Sequence, residues 1–344
     1  MASSARHEDM ARDFGLCSEA VSGEIKMKAT KRRAILASIL ATPVLAAGAQ
    51  TARPVRFIVP FPPGGTADLL ARLVAREMEA RLGAPVVVEN RAGAGGVVGS
   101  DSVAKSPADG TTILLSNIAS QGIAPAILPT MPYDVMRDFT HIGLLAAVPS
   151  AIAVSATGPW QSLPALIAAA REKPGTIRFG SNGNGTSSHA KLEILKRLAG
   201  VDITHVPYRG AAPAATDVIA GNIDGLIAAI PDVGRNERLR LLAMTTEQRL
   251  PRWPDVPSVA ELSLAPLVAA NWFGISGPAG IPAPVADRLN GALLESLATP
   301  ALTERLSELG AAPNRLDRPA FTALVATDMA RWAQIVREAG IKAD

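Results

Sequence analysis

Two stretches of this 344-residue sequence set glycines and hydroxyls at the start of a helix pattern. The first is Pro60-Phe61-Pro62-Pro63-Gly64-Gly65-Thr66-Ala67-Asp68, and the second is Gly180-Ser181-Asn182-Gly183-Asn184-Gly185-Thr186-Ser187-Ser188-His189. The free N–H groups and partial positive charge of a helix N-terminus attract anions, with no Lys or Arg required. Prolines stiffen such a loop before a ligand arrives, and glycines let the ligand approach the main chain. Thr66 and Asp68 are candidate caps for the first helix; Thr186, Ser187 or Ser188 could cap the second. Either loop alone reads equally as a capped helix start with a tight turn. Two of them, at matching places in two similar modules, form a clamp for a small anion or polar molecule.

Other residues invite chemistry that their spacing does not support. His189 follows two serines, but adjacent residues on a helix do not face each other, and there is no G-x-S-x-G elbow. No pair of histidines has zinc-motif spacing. Gly93-Ala94-Gly95-Gly96-Val97-Val98-Gly99 is G-x-G-x-x-x-G rather than the dinucleotide G-x-G-x-x-G, so close helix packing explains its glycines better. No phosphate-binding Walker pattern occurs. We therefore expect no catalytic residue, no metal and no cofactor. Arg209 reads as a surface or lobe-packing residue, with a bidentate carboxylate contact as the alternative. Trp272 and Phe273 read as hinge-side core.

The loops need a scaffold, and the periodicity supplies one. Val55–Val59, Pro85–Val88 and Thr112–Leu115 alternate with helix patterns at Asp68–Leu82 and Val97–Lys105. A second cycle has strands at 151–155, 177–180, 203–207, 223–228 and 239–244, with helices at 162–173, 187–199 and 211–220. Helices follow at 282–297, 301–309 and 318–339, docking most simply on the first module. This order predicts α/β modules with mostly parallel sheets, whose ligands bind beyond the carboxyl ends of the strands. The apolar run Gly225–Pro231 predicts an apolar cleft wall, better suited to an aromatic or longer aliphatic acid than to citrate.

Composition excludes several classes. The first 49 residues hold seven of the 34 basic and five of the 31 acidic side chains, leaving 27 and 26 in the remainder. That balance gives no support for a nucleic-acid partner. Lys28–Arg33, the apolar run Ala34–Leu45 and the small residues Ala47-Gly48-Ala49 form a signal-peptide pattern. Residues 1–49 thus read as an upstream extension plus signal peptide, starting at Met27 and cleaved after Ala49. A cytoplasmic leader followed by an anchor is the alternative. Cys17, the single cysteine, falls within this segment, so the exported chain is expected to carry no disulfide.

The stretches FIVPFPPGGTADLLAR, VVVENRAGAGGVVG, DGTTILLSN, YDVMRDFTHIG, FGSNGNGTSSHAKLEIL, VPYRGAAPAATDVIAGNID and WFGISGPAGIPAPVADRLN, in this order, resemble the tripartite tricarboxylate transporter receptors, or Bug-type solute-binding proteins. The likeness covers residues 53–340. It implies a type II periplasmic binding protein, an α/β fold of two lobes with mostly parallel central sheets and a ligand cleft between them. On this chain the lobes would be 50–150 with 271–344, and 151–270. The resemblance implies a carboxylate held by Phe61, Gly64, Gly65, Thr66 and Asp68 on one side and by Gly185, Thr186, Ser187 and His189 on the other, with Asn117 lining the cleft. Pro62-Pro63 departs from the more usual Pro-Ala and removes one N–H. The implied partners are a small organic carboxylate and the permease subunits of a tripartite transporter, the implied compartment is the periplasm, and a monomer is expected. An exported enzyme acting on a small acid, or a ligand sensor for signalling, is the alternative.

Overall fold

A computed structural model describes residues 53–339; the expected extension, signal peptide and Cys17 lie outside the described residues. The chain begins β1 (Val55–Val59), α1 (Thr66–Leu82), β2 (Val86–Asn90), α2 (Val97–Ala104), β3 (Thr112–Asn117) and the short α3 (Ala124–Ile127). It then enters the 17-residue strand β4 (Phe139–Ser155). Next come α4 (Leu163–Glu172), β5 (Arg178–Ser181), α5 (Ser187–Ala199), β6 (Thr204–Pro207), α6 (Ala211–Ala220), β7 (Gly225–Ala229), α7 (Ile230–Val233) and β8 (Leu239–Met244). The return strand β9 (Ala270–Pro278) leads to α8 (Ala283–Leu297), α9 (Pro300–Glu308), β10 (Ala312–Pro313) and α10 (Arg318–Ala339).

The strands form a curled order, β2-β1-β3-β9-β4-β7-β5-β6, with β8 and β10 also paired to β4. Pairs β1–β2, β1–β3, β5–β6 and β5–β7 are parallel, as the alternating strand and helix order predicts. The sheets are nonetheless mixed rather than mostly parallel. β9 runs antiparallel to both β3 and β4, and β4 runs antiparallel to β7 and β8. The cause is that two strands carry the chain between modules, and neither belongs to a βαβ unit.

β4 is the main crossing. Its first part pairs with β9 as far as Pro149, opposite Ala270, and from Ser150 onward it pairs with β7 and β8. Proline donates no ladder hydrogen bond, so it suits the point where a strand exchanges neighbours. Helix α1 turns Leu70, Val74 and Met78, all fully buried, onto the first sheet, and burying each such side chain contributes about 1.5–3 kcal/mol. Gly83, at φ 61°, closes this helix in the left-handed conformation that glycine adopts most easily.

The C-terminal helices divide their attachment. α8 and α9 pack on the first module, where Arg288 donates to the Leu82 carbonyl and Arg81 Nη2 to Thr299 Oγ1. α10 does not keep to that module. It packs on β4 and α5, Arg331 donates to the Val268 carbonyl, and Trp272 Nε1 donates to Asp328 Oδ2 at 2.7 Å.

The two crossings are tied together by a buried ammonium. Lys191 on α5 has no solvent exposure, and its Nζ donates to Ser150 Oγ at 2.8 Å and Asn271 Oδ1 at 3.0 Å. Asn271 Nδ2 in turn donates to Ser150 Oγ, and Ser187 Oγ donates to Asn271 Oδ1. Burial pushes the Lys191 amine down to about 7; Arg331 lowers it further and Asp328 partly opposes both. The unfolded chain holds this proton up to its ordinary value near 10.5, whereas the native protein releases it near 7. Stability therefore rises as pH increases across that window. We expect a gain of about 2 kcal/mol between pH 7 and 9, read by chemical denaturation. Lys191→Met should flatten this rise; an equal slope in the variant would show that Lys191 does not titrate there.

Candidate functional site

The first loop is braced from behind. Asp68 Oδ2 accepts the Gly64 N–H at 3.0 Å and Arg72 Nε at 3.0 Å, while Oδ1 accepts Asn90 Nδ2 at 2.9 Å. Asn90 also donates to the Phe61 carbonyl. Burial alone would raise the Asp68 carboxyl, but Arg72, Gly64 and Asn90 outweigh it and hold the group below its ordinary value. An ionised Asp68 thus fixes the loop in shape. Gly99 completes the brace, because a Cβ there would meet Pro60 and the Arg91 carbonyl at 2.7 Å.

Helix α1 starts behind Gly65, whose position carries no side-chain cap. The expected capping by Thr66 or Asp68 does not occur, since the helix begins at Thr66 and Asp68 faces the loop. Helix α5 starts behind Thr186, again without a side-chain cap. Thr186 Oγ1 instead donates to the Gly183 carbonyl at 2.6 Å, and Ser188 Oγ accepts the Asn182 N–H. These hydroxyls shape the loop and leave first-turn amides uncapped. Helix α6 adds a third uncapped start behind Gly210, at φ 108°.

The three starts open on one cleft of about 170 Å³, lined from the first module by residues of the 61–67 loop, Asn117, Ile118, Ala119 and Phe273. Ser150 and Asn271 line it at the crossings, and Asn182, Thr186–Ser188, Arg209–Pro213, Ala229 and Asp232 from the second module. Its volume fits a small organic molecule.

Of the residues nominated from sequence, Phe61, Gly65, Thr66, Asn117, Thr186 and Ser187 line this cleft. Gly64, Asp68, Gly185 and His189 are not among its lining. Gly64 and Asp68 are engaged with each other, and the Gly185 N–H points at His189 Nδ1 at 3.3 Å. The His189 ring stacks on His205 with centroids 4.2 Å apart, supporting the loop from below. Asn117 presents its side chain to its own chain: Oδ1 accepts the Ala119 and Ser120 N–H groups.

Arg209, Phe273 and Asp232 line this cleft in addition to the nominated residues. Arg209 is exposed and lines the cleft without an ion pair or hydrogen bond among the described residues. Trp272 and Phe273 are both buried core, Trp272 packed edge-on against Phe321 and Phe273 also reaching the cleft. The wall after β7 is not wholly apolar, because Asp232 stands beyond Ala229 and accepts the Thr66 N–H at 2.9 Å. An Asp immediately after that apolar run, on a four-residue helix, gave no periodic signal in the sequence. Burial pushes the Asp232 carboxyl up to about 6, partly offset by the hydrogen bond from the Thr66 N–H. Among the described residues, no group of three or more His, Cys, Asp or Glu side chains could hold a metal ion, and no helix is long and apolar enough to cross a membrane.

This arrangement has counterparts in known proteins. The protein BugT of Bordetella pertussis is 37% identical over 325 residues, covering 92% of this chain and 99% of BugT. A solved R. palustris protein with adipate is 33% identical with a TM-score of 0.82, covering 85% of this chain and 99% of that one. MatC from Rhodopseudomonas palustris, with bound malate, is 30% identical with a TM-score of 0.79, covering 83% and 99%. The tripartite tricarboxylate transporter family receptor profile matches residues 70–341. With uncapped helix starts converging on a cleft in a two-lobe α/β scaffold, this chain belongs to the tripartite tricarboxylate transporter family of receptors.

Proposed function

We propose that this receptor captures a small organic carboxylate in the periplasm and presents it, unaltered, to the permease subunits of a tripartite transporter. The observation that carries the carboxylate reading is the convergence of α1, α5 and α6, none capped by the side chain of its own N-cap residue, on one cleft. Their amides supply donors and partial positive charge where an anion would sit. The adipate and malate in the two related structures support the same ligand chemistry. The cleft is complete within one chain, which supports a monomer as the binding unit.

Capture needs an opening. In our reading, residues 53–150 and 271–316 move as one lobe against 151–270, hinging where β4 leaves β9 for β7 and β8, with α10 packed against both. In the described conformation the lobes meet across the cleft. A Cβ at Gly95 would lie 3.3 Å from the Asn184 carbonyl oxygen, and Thr66 bonds Asp232. Closure around a ligand removes water from the polar contacts, and it needs no bond to be made or broken. The Thr186 and Ser187 hydroxyls at the cleft are held in hydrogen bonds to Gly183 and Asn271, which favours binding over nucleophilic attack by them.

A thermal-shift screen of the purified protein against mono-, di- and tricarboxylates, aromatic acids and amino acids tests this reading. A ligand at 100 times its Kd should stabilise the fold by about 2.7 kcal/mol, a shift of several degrees for one chemical class. No shift with any carboxylate would remove the carboxylate assignment. Thr186→Ala should weaken binding of the best ligand by about three- to tenfold, measured by titration calorimetry. Neither form should consume the ligand; measurable turnover by the wild-type protein would favour the exported-enzyme alternative.

A further inference from the structure

Most polar groups at the cleft are engaged within their own module, but Asp232 reaches across it. Its Oδ1 takes the Thr66 N–H at 2.9 Å, joining α7 of one lobe to the start of α1 in the other. The protein's own carboxylate thus occupies a donor at one of the three helix starts. The Thr66 N–H supplies the hydrogen bond that Asp232 receives, and no Lys or Arg pairs with it among the described residues. Arg209, at the start of α6, lines the same cleft and is likewise unpaired. The cleft therefore holds an unpaired guanidinium and an unpaired carboxylate that do not neutralise each other.

This charge pattern constrains what fits. A ligand carboxylate is welcome at the α5 and α6 starts beside Arg209, where amides and a cation are available. A second carboxylate directed at α1 would meet Asp232, a like charge in a site largely closed to water. Two carboxylates sharing such a site oppose each other's ionisation, and like charges placed together cost affinity for the wrong partner. A hydrogen-bond donor at that end meets the opposite situation, because Asp232 offers acceptor lone pairs with no competing cation.

Building on the carboxylate-receptor reading, we propose that Asp232 is a specificity-determining residue that selects a monocarboxylate bearing a hydrogen-bond donor, an ammonium or amide, at its far end, and rejects the corresponding dicarboxylate. The ligand is then oriented, with its carboxylate toward Arg209 and the α5 and α6 starts and its donor toward Asp232. Thr66 and Asp232 stay bonded when it is bound, so the closing contact between lobes forms part of the recognition surface.

Matched ligand sets test this. The purified protein is titrated calorimetrically at pH 7.5 with succinate, glutarate and adipate, and with the ω-amino acid and monoamide of each chain length. The wild-type protein should bind a donor-ended monocarboxylate at least tenfold more tightly than the diacid of equal length. Asp232→Asn, which keeps the shape and removes the charge, should reduce that preference at least tenfold. A wild-type protein that binds a diacid as tightly as its donor-ended partners overturns the proposal while leaving a carboxylate receptor in place. So does an unchanged preference in Asp232→Asn. The wild-type comparison decides the matter even where the variant folds poorly. Binding of none of these acids, with no carboxylate shift in the thermal screen, removes the carboxylate reading and the proposal with it.

Discussion

The meeting of β4, β9 and α5 at one buried ammonium is the contact on which the rest of the molecule depends. Lys191 holds Ser150 and Asn271, one residue from each crossing, so the two connections between lobes are fastened at a common point. A lone cation in that position is costly to bury, and its depressed proton affinity reflects the cost. What the cost secures is position. Ser150, Asn271 and Ser187 are joined in this network, and all three line the cleft. The floor of the cleft and the junction of β4, β9 and α5 are therefore one set of hydrogen bonds.

From that junction the remaining features follow in order. The parallel outer strands place the starts of α1, α5 and α6 at the cleft, since helices that follow parallel strands begin at the strands' carboxyl ends. Asp68 and its partners stiffen the first loop, while Thr186 and Ser188 shape the second. In the second loop the hydroxyls that could cap the helix are engaged elsewhere, and in the first Asp68 turns back on the loop, so neither helix start is capped by its own loop. Binding by main-chain amides needs little charge on the protein, in keeping with the near balance of acidic and basic residues.

Much of this was legible in the sequence. Helices α5 and α6 begin and end where their periodicity and flanking glycines place them, because local pattern decides helices of that length. Both ligand loops were visible as glycine-rich strand-to-helix turns. The first half of β4, from Phe139 to Pro149, was not, because its partner β9 lies more than 120 residues away and the segment shows no alternation once both faces are buried. The same non-local pairing hid the antiparallel strands. Phe273 is core, as its spacing suggests, and also reaches the cleft, a second role that spacing does not mark. Asp232 was masked by the apolar run before it, and Asp68 read as a ligand contact until its three partners were located.

The most direct test of the central claim is a crystal structure with the best-binding carboxylate. The account predicts one molecule in the cleft between the lobes, its carboxylate oxygens within hydrogen-bond distance of main-chain N–H groups at the α5 or α6 start. A ligand bound outside the cleft, or held there through side-chain charges with no main-chain amide in contact, would contradict it.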